Sequence, residues 1–225
     1  LNYEINIMSI FINMIFVPLI SSIVFPLAIV TFLFPFLNPL FSLVLNITNF
    51  LNTLGKQISI FINIPKMSIL IVIVLLLLII LMKNNKKYFL VFLAILIFVK
   101  CSCNLKNYYQ IIYLDVGQGD STLLISPFNN NVVMIDTGGK IKYAQDNWKK
   151  SNKTYNLSDN TIKYLKSQGI TKIDHLILSH GDYDHMGEAI NLVNNFKVEK
   201  VIFNCGEFNE LENELIKILY KKKIP

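Results

Sequence analysis

Residues 5–37 form an almost uninterrupted apolar run, and no other feature restricts the chain as much. A run of this length exceeds the roughly 20 residues that carry a helix across a hydrocarbon core of about 30 Å. In lipid the backbone must satisfy its own polar groups, so the run is predicted to be helical. Pro18, Pro26 and Pro35 fall within it or at its end. Each removes an amide donor and frees a carbonyl that needs a partner from a neighbouring helix or a water-filled cavity. The run therefore reads as a kinked span packed against others, with a simple kinked anchor as the alternative.

The next segments are apolar in a different way. Over residues 40–62, Leu40, Val44, Ile47, Leu51, Leu54, Ile58 and Phe61 recur every three or four positions, while Asn46, Asn49, Asn52, Lys56 and Ser59 take the other side. That spacing predicts an amphipathic helix, lying in the membrane interface or packed inside a larger membrane domain. Apolar runs at 67–82 and 88–100 are joined by "KNNKK". Both are shorter than a typical span, which leaves tilt, bilayer thinning and a re-entrant hairpin open. Lys83, Lys86 and Lys87 in the joining loop favour the cytoplasm. The second run then leads outward, and everything after Lys106 lies outside the cell. Lys56 and Lys66, on the opposite side, count against this orientation without reversing it.

Composition changes near residue 105. Residues 1–105 hold six of the 21 lysines but only one acid, Glu4, of fifteen. The formal charge of +6 thus sits almost wholly in the apolar half, and a pI near 9.1 is no sign of a nucleic-acid surface. Leu1 in place of methionine, and "KKKIP" directly after a helical pattern, give the expectation of a piece of a longer protein. Three cysteines imply no disulfide framework. Cys101 and Cys103 read as small residues at a membrane exit, and Cys205 as packing.

After Lys106 the pattern is one of short strands and loops. "QIIYLDV" and "STLLIS" flank "GQGD", and "NVVMID" runs into "TGG". A helix over 159–168 is predicted to stop at Gly169. The strand "IDHLILSH", a helix over 188–195, the strand "VEKVIFN" and a helix from near Glu207 follow. Strands first, then strand and helix in alternation, predict a mixed α/β layer fold.

The stretch "LILSHGDYDHMGEA" places His180, Asp182, Asp184 and His185 within six positions, directly after a buried-strand pattern. A tight turn there can aim several lone pairs at one point, as a metal site requires. Imidazole and carboxylate ligands together suit zinc, manganese or iron. Two such ions can activate a water and stabilise the leaving oxygen of a phosphoester.

"SHGDYDHMG" is similar to the H-x-H-x-D-H signature of the metallo-β-lactamase fold, and "MIDTGG" resembles that fold's earlier motif, an aspartate closing a strand. With "YLDVGQGDSTLLI" and the apolar runs upstream, the whole chain resembles the ComEC family of DNA-internalisation competence proteins. The resemblance implies a multi-pass α-helical membrane region over 1–105, the C-terminal part of a competence domain. It also implies the first part of an extracellular metallo-β-lactamase-like (αββα) domain over 106–225, incomplete at its C-terminus. Later motifs that complete the metal shell would lie beyond Pro225, so the chain alone is not expected to form a complete active site.

Carried over residue by residue, the resemblance makes His180 and Asp182 ligands of a first divalent metal, and Asp184 and His185 ligands of a second. Asp184 becomes the base toward the attacking water, and Asp136 an acceptor that orients a ligand or the cluster loop. Asp182 stands where the wider fold has histidine, which favours Mn²⁺ over Zn²⁺ or leaves a single ion. Glu188 replaces a second glycine, with little consequence expected. The implied function is uptake of single-stranded DNA across the cell membrane, alongside other uptake components, with a metal-dependent nuclease or phosphodiesterase outside. The alternatives are an outer domain that binds DNA without cutting it, and a membrane-anchored hydrolase of a small ester or lactam.

Three weaker features complete the reading. Gly117, Gly119 and Asp120 could approach a phosphate, but a plain hairpin turn is the better reading. His175 reads as an ordinary strand residue. Over residues 140–155 lysines alternate with rings, and Lys149, Lys150 and Trp148 are candidate DNA contacts against the plainer reading of a solvated loop.

Overall fold

The computed structural model describes residues 3–117, 119–139 and 156–225. It divides into two compact units, one of Glu4–Asn63 and one of Ile64–Pro225 with the first residues of the chain.

In the first unit, strand β1 (Glu4–Asn6) leads into helix α1 (Met8–Leu19), a π-helical turn over Ile20–Val24 and helix α2 (Phe25–Leu33). The prolines deform this rod without breaking it. Pro18 sits inside α1, and ahead of Pro26 the helix widens so that the Phe25 amide bonds the Ile20 carbonyl. Widening is one way a helix absorbs an imino acid that cannot donate to the turn before it. The rod ends at Phe34, whose non-helical backbone is what the following Pro35 demands.

Helix α3 (Asn38–Gln57) is shorter than the expected 40–62, and β2 (Phe61–Asn63) pairs antiparallel with β1. The cause is local. Ile58, Ile60 and Ile62 alternate in β-branched fashion, which suits an extended strand. The Asn6 amide also donates to Ser59 Oγ, and the Ile7 N–H bonds the Ile60 carbonyl, both at 3.0 Å.

In the second unit, α4 (Ile69–Met82) and α5 (Lys87–Ser102) form an antiparallel hairpin. The Ser68 hydroxyl caps α4 by accepting the Ile71 N–H. Met8–Leu33 and Lys87–Leu105 are long and apolar enough to cross a membrane. Helix α4, with 14 residues, spans only about 21 Å.

The sheet follows. Strands β3 (Gln110–Tyr113), β4 (Thr122–Ile125) and β5 (Val132–Ile135) form an antiparallel meander. Helix α6 (Leu157–Ser167) then crosses over to β6 (Lys172–Ile173) and β7 (His175–Ile177), and β7 lies parallel to β5. Helix α6 ends where expected, in a reversed turn: the Gly169 N–H bonds the Lys166 carbonyl and the Ile170 N–H bonds that of Leu165. After α7 (Tyr183–Met186) and α8 (Ala189–Asn195) come β8 (Lys197–Val198), which pairs with β6, and β9 (Val201–Ile202), which extends the main sheet beside β7. Helix α9 (Glu210–Lys222) closes the chain.

One face of the sheet is dry. Leu123, Ile125, Val132, Met134 and Leu176 are buried, alternating along their strands, and pack with Leu165, Leu192 and Leu215 from α6, α8 and α9. The opposite face carries two cross-strand rows, Ile111–Leu124–Val133–His175 and Tyr113–Thr122–Ile135–Ile177–Ile202. It stays partly open, with Ile111 63% and Tyr113 81% exposed.

Candidate metal centre

The parallel pairing of β5 with β7 sets two strand ends side by side. The Asp136 N–H bonds the Ile177 carbonyl, so the residue closing β5 sits beside the loop that leaves β7. Asp136 adopts the left-handed conformation (φ 56°), which turns its buried carboxylate back toward that loop. Three donors converge there: the Ser179 N–H at 2.8 Å, the Ser179 hydroxyl at 2.6 Å and His185 Nδ1 at 3.0 Å.

These bonds fix the histidines. An ionised Asp136 only accepts, so His185 carries its proton on Nδ1 and presents the Nε2 lone pair. The Ser179 hydroxyl donates to Asp136, so its oxygen accepts from His180 Nδ1, 2.9 Å away. His180 then also presents Nε2. One carboxylate sets the tautomer of both rings, whose centroids are 3.7 Å apart.

The cluster turn α7 brings ligand atoms of His180, Asp184 and His185 within 4.8 Å of one another. Asp184 Oδ2 is 3.7 Å from His185 Nε2. Asp182 precedes the turn, outside this trio; its carbonyl accepts the His185 and Met186 N–H groups, and its largely exposed carboxylate lies 3.5 Å from His180 Nε2. Two imidazole nitrogens and a carboxylate oxygen form a donor set that fits a divalent ion such as zinc or manganese.

Both glycine-bearing motifs support this turn through their backbone. A Cβ on Gly119, at φ +84°, would fall on the Asp184 carbonyl, and one on Gly139 would fall on that of Tyr183. Thr137 donates its N–H to the His185 carbonyl at 2.7 Å. Gly119 of "GQGD" thus packs against the backbone of the cluster turn, a role beyond that of a hairpin turn.

Several residues that sequence reasoning passed over hold the loop. Asn204 Nδ2 donates to the Ser179 carbonyl, and Asn209 Nδ2 to that of Gly181. Asn209 also caps α9 in a reciprocal pair with buried Glu212, a signature visible in "NELE" whose reach to Gly181 is not. Glu188 matters more than expected: buried, it accepts the Ser158 N–H and hydroxyl, while its own N–H bonds the Gly138 carbonyl. His175 lies on the open sheet face, its Nδ1 buried and without a hydrogen bond among the described residues. Cys205, read as packing, is exposed. Lys149, Lys150 and Trp148 lie outside the described residues.

Known proteins share both halves of this chain. The metallo-beta-lactamase superfamily matches residues 114–221, and the competence protein family matches residues 1–87. ComE operon protein 3 of Bacillus subtilis (strain 168) is 36% identical over 104 residues. That stretch is 46% of this chain and 13% of the relative's length.

Proposed function

Because the chain belongs to the ComEC family of competence proteins, joining a competence-protein region to a metallo-beta-lactamase region, we propose that it serves DNA uptake across the cell membrane. On this reading residues 1–105 contribute kinked helices to the passage of a single strand, and residues 106–225 belong to a hydrolase domain outside the cell that cuts phosphodiesters. The lysines between α4 and α5 support that orientation. The open apolar face of the sheet supports an αββα arrangement, in which a second sheet would cover Ile111 and Tyr113.

The observation that carries the proposal is the convergence of His180, Asp184 and His185 under the control of Asp136. A divalent ion held there would lend positive charge to a phosphodiester and acidity to a water. His180 and His185 would hold it through Nε2, and Asp184 through one carboxylate oxygen. The Asp184 carboxylate, about half exposed, would also take up the proton of the attacking water. Asp182 beside His180 would complete a second position. Lys149, Lys150 and Trp148 would contact the strand.

The test uses the protein expressed from its full reading frame and purified in detergent, with end-labelled single-stranded DNA under Mn²⁺, Zn²⁺ or EDTA, beside an Asp184→Ala variant. Metal-dependent cutting that the variant loses is the expected result. Metal-loaded protein that binds the strand and leaves it whole would replace the nuclease with a DNA-binding outer domain. Cleavage of a lactam or ester with DNA untouched would move the substrate to a small molecule.

A further inference from the structure

A second polar site lies in the Ile64–Pro225 unit, at the end of the helical hairpin away from the lysine loop. There a cavity of about 360 Å³ is lined by Lys66, Ser68, Ser102, Lys106, Ser167 and Gln168, among others, and no carboxylate lines it. Lys66 precedes the cap of α4, and Lys106 follows the turn that ends α5, so the antiparallel packing brings both ammonium-bearing residues to one end of the hairpin. The Lys66 N–H bonds the Ser167 carbonyl, which ties α4 to the end of α6.

The charges are not compensated. Among the described residues, Lys106 Nζ reaches only amide oxygens, of Gln168 at 3.0 Å and Gln110 at 3.4 Å. Among the described residues neither lysine forms an ion pair. The Ser68 hydroxyl, which caps α4, lines the same cavity, so a hydroxyl and two ammonium groups are available to a phosphate. Below this polar rim the surface is apolar: Ile69 is 77%, Leu70 70% and Leu105 65% exposed.

We infer that this cavity holds the phosphate headgroup of an anionic phospholipid whose acyl chains cover the exposed ends of α4 and α5. The inference rests on the reading of the hairpin as membrane-embedded. A DNA phosphate would meet the same lysines but would leave Ile69, Leu70 and Leu105 bare, and an acyl chain covers them. Basic pockets between membrane helices hold anionic headgroups on the cytoplasmic side, and the same attraction between ammonium groups and a headgroup phosphate acts at this end of the hairpin. The site lies apart from the metal cluster, and its occupant would fix the depth at which the hydrolase region stands over the membrane.

The test is native mass spectrometry of the detergent-purified protein titrated with phosphatidylglycerol, phosphatidylcholine, inorganic phosphate or a thymidine oligonucleotide. Retention of one phosphatidylglycerol in preference to phosphatidylcholine is expected. About 1 kcal/mol per lysine near a charged headgroup corresponds to a roughly fivefold loss for Lys66→Gln or Lys106→Gln, and about 25-fold for both. Lys83→Gln/Lys86→Gln, at the other end of the hairpin, should leave retention unchanged. Equal retention of both lipids, or a double variant that melts like the parent and keeps its phosphatidylglycerol, would overturn the inference. Lysine-dependent binding of inorganic phosphate or oligonucleotide without the lipid would overturn it as well. Extraction of the protein from vesicles by alkaline carbonate would instead defeat the membrane reading beneath it.

Discussion

The carboxylate of Asp136 lies 3.0 Å from His185 Nδ1 and 2.6 Å from the hydroxyl of Ser179, which in turn meets His180 Nδ1. Asp136 is therefore predicted to govern metal affinity without touching the ion. Asp136→Asn confronts the His185 Nδ1 proton with an amide that can turn its donor inward, favouring the wrong tautomer. Loss of such an outer partner costs about 10–100-fold in affinity. A competition titration of Zn²⁺ against a chromophoric chelator measures it, and an unchanged Kd would remove Asp136 from this role.

Ser179 relays the same control to His180 alone. Ser179→Ala should weaken metal binding less than Asp136→Asn, by about tenfold, at the lower end of that range. Nitrogen chemical shifts of the imidazoles should show His180 losing its single tautomer while His185 keeps its own. Equal disturbance of both rings would mean that the loop had moved as a whole.

Asp184 and Asp182 should differ. Asp184 belongs to the convergent trio and Asp182 stands outside it. Asp184→Ala should lower affinity beyond the roughly 100-fold that an outer partner costs. Asp182→Ala should leave one tightly held ion per chain. Metal analysis after dialysis gives both stoichiometries, and loss of all metal in Asp182→Ala would make that carboxylate part of the tighter site.

Gly119→Ala tests the support of the cluster by the "GQGD" loop. The added methyl meets a backbone carbonyl, which cannot rotate away, and φ +84° is itself unfavourable for alanine. A loss of at least about 2 kcal/mol is expected, together with weakened metal binding. Thermal melting with and without Zn²⁺ separates the two effects. Parent-like melting would show that the loop is free of α7.

What could be read from the sequence follows from how local the physics is. Leu123, Ile125, Val132 and Met134 announce a buried sheet face through a period of two, and the spacing of His180, Asp184 and His185 through a single turn is short enough to imply convergence. The pairing of Glu4–Asn6 with Phe61–Asn63 joins segments separated by three helices, and no local pattern encodes such a register. Ser179 and Asn209 are single polar residues in loops, where a hydrogen bond to a distant partner leaves no periodic trace. Glu188 looked like a first-turn carboxylate because its sequence neighbours are helical. Its partner Ser158 stands thirty residues earlier in the chain, and only the fold reveals it.

Asp174 shows the same long-range logic in stability. Its carboxylate accepts the Val132 N–H at 2.8 Å and meets Lys172 Nζ at 2.6 Å, while its own N–H bonds the Val132 carbonyl. Burial pushes its pKa up, but the hydrogen bond from Lys172, the Val132 N–H and the charge of Lys172 outweigh it, and the pKa lies below the ordinary carboxylate value. A depressed folded-state pKa means stability present above the unfolded value of about 3.9 and lost as pH falls through the folded one. Asp174→Asn keeps an acceptor for Val132 and loses the charge, at a cost of about 1 kcal/mol near neutral pH. The gap between parent and variant should hold steady above about pH 5 and close below about pH 4. Melting temperatures across that range measure it, and a gap that widens in acid would reverse the assigned direction.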